Sequence, residues 1–183
     1  VAQFAAGGKP MPKKDLSMIA MTYGNIYVAR VSLANPAQCV KAFLEADAYD
    51  GPSLIIAYSH CIAHGINMTT AVDNCKRAVN SGYFPLFRFD PRLAAEGKNP
   101  LQLDSKAPSI GFEEFANSEN RFRVLKKINP EQAEQLLAAS AKDSATRYDL
   151  YIKLAELSAE CGRKEEANPW CNLMVPAGVR GAF

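Results

Sequence analysis

Four prolines, at positions 85, 91, 100 and 108, crowd the stretch YFPLFRFDPRLAAEGKNPLQLDSKAP, residues 83–108. Proline fixes φ and lacks a backbone N–H, so this stretch is denied a long helix or a central strand. Yet Phe84, Leu86, Phe87, Phe89, Leu93, Leu101 and Leu103 call for burial. An irregular segment of this length is uncommon unless it is functional or lies against something large. At most, residues 83–89 form an edge strand. The expectation is a long excursion, otherwise without regular structure, lying extended across the surface with Phe87 or Phe89 covered in the intact molecule.

Helix and strand signals alternate ahead of that stretch. Asp15 is placed to cap a short helix that Gly24 stops. IYVARV (26–31) and SLIIAY (53–58) read as strands, the second as an apolar run buried on both faces of a parallel sheet. Asn35-Pro36 opens a helix whose Ala37, Val40, Phe43 and Leu44 share one face. Met68, Ala71, Val72, Cys75, Ala78 and Val79 then recur at helical spacing as far as Ser81-Gly82. Such alternation predicts an α/β fold, a partial doubly wound parallel sheet with helices on its faces. The two strands should be parallel neighbours. Asn129-Pro130 starts a helical tail (128–160), with Leu136, Leu137, Tyr148, Tyr151, Leu154 and Leu157 on its apolar side and Ser140 to Ser144 as a possible break. Residues 161–183 show no period and are expected to be loosely ordered.

Composition narrows the function. The 183 residues are 48% hydrophobic, with 21 basic and 19 acidic side chains of interspersed sign. That supports one globular core and no nucleic-acid face. No apolar run approaches the roughly 20 residues of a membrane span. VAQFAAGG, without an initiator Met, reads as the continuation of an upstream segment, so a fragment is expected. The five cysteines (Cys39, Cys61, Cys75, Cys161, Cys171) include no CxxC pair, so no self-contained zinc or iron–sulfur site can be drawn. Their odd number favours reduced thiols and a cytoplasmic location.

Cys61 stands out because it follows the carboxyl end of the 53–58 strand, outside which open α/β sheets bind ligands. A thiolate there suits an iron–sulfur cluster; the alternative is a small buried hydrophobe. His60 and His64 flank it, but a Cys-His-His set lacks a fourth protein ligand for zinc. His64 could tune a cluster through a hydrogen bond to sulfur. Cys39 and Cys75 lie on helix faces and read as packing. Arg88 and Arg92 flank Asp90, either pairing locally to fix the loop or meeting an acidic partner. Lys9, Lys13 and Lys14 admit a solvated face or the same partner.

AYSHCIAHGI (57–66), together with 83–108, resembles the last part of the thiamine-diphosphate domain of pyruvate:ferredoxin (flavodoxin) oxidoreductases. The resemblance runs over 1–127 and includes the 83–108 excursion. It implies that Cys61, which with Ile62 and Gly65 matches the family's C-I-x-x-G pattern, is the fourth ligand of the 4Fe-4S cluster nearest the thiamine. The other three cysteines would lie earlier in the polypeptide. The implied reaction is oxidative decarboxylation of pyruvate with coenzyme A, giving acetyl-CoA and carbon dioxide. Electrons would leave through 4Fe-4S clusters to ferredoxin or flavodoxin. The implied partners are the remainder of the enzyme and a second subunit. The family's thiamine diphosphate and magnesium motifs do not occur in this chain, and no catalytic residue is named in it. The isolated fragment is expected to be inactive. Two other readings stay open: a truncated, non-catalytic scaffold or subunit-contact piece, and a relative acting on another 2-oxoacid.

Overall fold

Tyr27–Ser32 (β1) is buried along its whole length, and the other elements are arranged around it. The computed structural model describes residues 11–156. Leu16–Met21 (α1) begins at Asp15, whose carboxylate accepts from the backbone N–H groups of Ser17 and Met18. Pro36–Asp47 (α2) begins at Asn35, which accepts from the Gln38 N–H, with Pro36 in the first turn where its missing N–H costs nothing. Ser53–Tyr58 (β2) follows. Two 3-10 turns, Ile62–His64 and Met68–Thr70, then lead into Ala71–Asn80 (α3). The chain continues through Phe87–Phe89 (β3), Arg92–Ala95 (α4), Leu101–Leu103 (β4), Phe112–Ser118 (α5), Asn120–Ile128 (α6) and Pro130–Glu156 (α7).

The strands form one open sheet in the order β2-β1-β3-β4. β1 and β2 are parallel neighbours, paired from Tyr27–Ser53 to Ser32–Tyr58, as their alternation with α2 predicts. The expected all-parallel sheet is corrected beyond that pair. β3 runs antiparallel to β1, and β4 antiparallel to β3. The reason lies in α3, which packs chiefly against α5 rather than running back over the sheet. The chain therefore re-enters the sheet beside the carboxyl end of β1, with Phe87 opposite Arg30, and has to run the opposite way.

Residues 83–108 need a second correction. They hold β3, α4 and β4, and β3 is an interior strand. The prolines permit this because each lies outside a strand, so no ladder bond loses its donor. Pro85 precedes β3 and Pro91 follows it; Pro100 precedes β4 and accepts the Asp90 N–H through its carbonyl. Phe87 and Phe89 are fully buried within this chain. β2 is the third correction. It is an edge strand, partly exposed along its length, because nothing described pairs with its outer side.

The sheet's two faces bury different sets. Tyr27, Ala29 and Val31 meet Ala42 of α2, with Cys39 and Ile55 packed alongside. Val28, Phe87, Phe89 and Leu101 meet Ala20 and Met21 of α1 and Tyr151 and Leu154 of α7. A third cluster lies off the sheet, where Phe112, Phe115 and Ala116 of α5 meet Ala78 of α3, with Tyr58, Tyr83 and Leu137 against them. α7 is continuous through 140–144, and its 27 residues, about 40 Å of helix, join this cluster to the sheet. The expected positions Leu157, Cys161, Cys171 and Lys9 lie outside the described residues.

Candidate functional site

Where β2 ends at Tyr58, the chain enters a loop with little structure of its own. Cys61 precedes the 3-10 turn Ile62–His64 in extended conformation, φ −145°, and Gly65 closes the turn at φ 68°. The Gly65 N–H donates to the Ile62 carbonyl at 3.0 Å. A positive φ of this size is strained for any side chain bearing a Cβ. Space makes the same demand, because a Cβ on Gly65 would collide with Cβ of Asn120.

The three described cysteines have separate roles. Cys61 is a free, half-buried thiol beyond the carboxyl end of β2, beside Ile62, which is 75% exposed. Cys75 is fully buried in α3, and its Sγ lies 3.6 Å from His60 Nδ1. Cys39 packs between α2 and the sheet. His60 thus turns toward Cys75, fifteen residues away, as a sequence reading centred on Cys61 does not anticipate. Among the described residues no group of three or more His, Cys, Asp and Glu side chains is gathered for a metal ion. The donor chemistry at Cys61 is therefore that of a single soft ligand. A thiol unbound to other sulfur and reachable from solvent fits one corner of an iron–sulfur cluster, whose further ligands have to come from elsewhere.

Beneath this loop is a polar group with no signature in the sequence. Glu119, at the junction of α5 and α6, is completely buried. Its Oε1 accepts from the Tyr58 hydroxyl at 2.9 Å and from Asn74 Nδ2 at 2.9 Å, and its Oε2 pairs with Arg121 Nε. Burial and the neighbouring Glu119 carboxylate push the Tyr58 phenol well above its ordinary pKa, so it stays a donor. Asn74 Oδ1 in turn accepts from Ser118 Oγ at 2.7 Å. A glutamate within a charged helical stretch reads as solvated, so only the three-dimensional contacts single this one out.

The arginines separate. Arg92 pairs with Asp90 through Nε and Nη2, the latter at 2.8 Å, which is the local fixing its spacing suggests. Arg88 does not face Asp90 or solvent. It reaches Asp104 through Nε and Nη2 at 2.9 and 2.8 Å, and Glu45 through Nη1 at 2.6 Å. Its side chain is 7% exposed, so Arg88 is corrected from a docking candidate to a buried tie between α2 and the end of β4. The hydrogen bond to Asp104 outweighs burial and raises its pKa further above the usual value.

An open groove of about 480 Å³ between α5, α6 and α7 is lined by Phe112, Lys126, Glu134 and Leu137, and no residue of the Cys61 loop borders it. No helix among the described residues is long and apolar enough to cross a membrane.

No protein-family model matches the chain. Individual proteins do. It is 57% identical over 156 residues, 85% of the chain, to a pyruvate-flavodoxin oxidoreductase of Trichormus variabilis. It is 54% identical over 157 residues, again 85% of the chain, to a pyruvate:ferredoxin oxidoreductase of Moorella thermoacetica. A mitochondrial pyruvate dehydrogenase [NADP(+)] of Euglena gracilis is 51% identical over 158 residues, 85% of the chain. The chain spans 13% of each of the first two enzymes and 9% of the third. Over the shared residues, the chain is homologous to the pyruvate-flavodoxin and pyruvate:ferredoxin oxidoreductases and corresponds to a segment of such an enzyme.

Proposed function

We propose that the chain is the C-terminal half of the thiamine-diphosphate-binding domain of a pyruvate:ferredoxin or flavodoxin oxidoreductase. Its part in the reaction is to hold one iron of a 4Fe-4S cluster through Cys61. The observation that carries this reading is the free, half-buried thiol just past the end of β2, in the segment AYSHCIAHGI that resembles the cluster-binding one. When bound, thiamine diphosphate supplies carbanion stabilisation and the cluster supplies one-electron transfer.

This chain contributes position. Cys61, as thiolate, gives the soft ligand, and β1 and β2 set where that thiolate stands. No acid or base for pyruvate is assigned to these residues. The relatives' names point to pyruvate as substrate and to flavodoxin or ferredoxin as acceptor. In the proposed reaction coenzyme A takes the acetyl group. The Euglena enzyme's name carries NADP+ instead, so a closely similar segment serves more than one acceptor. The segment's role therefore precedes the choice of acceptor.

In the full-length enzyme, Cys61→Ser separates the two halves of the reaction. Release of carbon dioxide from pyruvate persists, because no acid–base group is removed. Reduction of ferredoxin falls by more than about tenfold, since losing a ligand costs at least as much as losing a supporting residue. Parental rates of ferredoxin reduction by this variant would overturn the reading.

A further inference from the structure

We propose that Tyr58, Asn74, Glu119 and Asn120 form a clamp that fixes the Cys61 loop, with Glu119 as the residue that positions it. The inference rests on the reading of Cys61 as a ligand. Two pairs of consecutive residues converge on the loop from outside. Asn74 and Cys75 come from α3, and Glu119 and Asn120 come from the α5–α6 junction. Ahead of Cys61, the Tyr58 hydroxyl donates to Glu119, and His60 Nδ1 meets Cys75 Sγ. Behind Cys61, Gly65 lies against Asn120 so closely that no side chain fits between them. The Asn74–Glu119 bond at 2.9 Å ties the two outside pairs to each other.

The energetics favour a positioning role over plain packing. A fully buried carboxylate carries a large desolvation cost, and apolar residues of the same volume often stabilise as well or better. Glu119 is nonetheless buried completely, with three donors directed at it. What those bonds supply and apolar packing does not is direction. Hydrogen bonds of fixed geometry set the end of β2 and the start of the loop, whose own structure is a single 3-10 turn. A metal site requires its ligand atoms within a few tenths of an ångström, and outer residues commonly provide that precision.

The test uses the full-length enzyme with its clusters in place. Tyr58→Phe keeps the ring, which packs 5.3 Å from Phe84 between centroids, and removes only the hydroxyl. The readout is the phase of iron release to a chelator that Cys61→Ser abolishes. Tyr58→Phe should speed that phase about three- to tenfold, the factor expected from one lost hydrogen bond. Iodoacetamide should then alkylate Cys61 faster by a similar factor, with Cys39 as an unchanged reference. Gly65→Ala should do the same from the other end of the loop, so the proposal does not depend on one variant folding. If the variants melt earlier but release iron and alkylate Cys61 at parental rates, Glu119 and its partners only pack, and the clamp is wrong. Should Cys61→Ser keep its full iron, it is the ligand reading that fails. Cys61 alkylation in Tyr58→Phe then decides the clamp alone: faster supports it and unchanged overturns it.

Discussion

Arg88 and Arg92 stand four positions apart, look alike in the sequence and do different work. Arg88 is enclosed and joined to two carboxylates from distant parts of the chain, Glu45 and Asp104. Arg92 has a 43% exposed side chain and grips its near neighbour Asp90. Truncating a buried ion pair on one side strands the other charges, whereas in the second pair Asp90 is buried but Arg92 stands partly in solvent, where water screens the interaction. Arg88→Met should therefore lower stability by about 3 kcal/mol. Arg92→Ala should lower it by less, about 1–2 kcal/mol, because its own charge is half in solvent although Asp90 is buried. Urea unfolding of the two variants beside the parent measures both; equal losses would contradict the division. The same contrast governs the cysteines. Position along the chain separates Cys61 from Cys75 by fourteen residues, but burial and the His60 contact separate them chemically.

At the scale of elements, α2 is oriented against expectation. Its buried side is made of Gln38 and Ala42, while Val40, Phe43 and Leu44 point outward at 60%, 54% and 66% exposure. Helical spacing correctly groups the three on one face but cannot say whether that face meets the sheet. The sheet side is decided by close approach, since Ala42 lets α2 sit tightly over Tyr27, Ala29 and Val31. An apolar stripe of this kind marks a contact surface or a site of self-association. The isolated chain should accordingly self-associate, and Phe43→Lys with Leu44→Lys should suppress it. Sedimentation velocity across a concentration series checks this; an unchanged distribution would contradict it. The caps at Asp15 and Asn35 and the parallel β1–β2 pair were legible from local chemistry. The placement of β3 was not, because it depends on where α3 packs, and that is a long-range choice. Nor were α5, α6 and Glu119, whose role exists only through Tyr58 and Asn74, far away in sequence.

For the whole molecule, the described residues include an open sheet edge at β2, an apolar face of α2 turned to solvent and a free, half-buried thiol at Cys61. Its relatives are many times its length. On the function proposed above, this piece hands the larger enzyme one cluster ligand, Cys61. The most direct measurement compares iron content and low-temperature electron paramagnetic resonance of full-length Cys61→Ser and Cys75→Ser with the parent. A serine hydroxyl is a harder and far less acidic ligand than a thiol, so Cys61→Ser should lose or alter one cluster signal. Cys75→Ser should keep every signal and cost only packing, on the order of a kcal/mol or two. A Cys61→Ser enzyme with its full complement of iron and unchanged spectra would contradict the account.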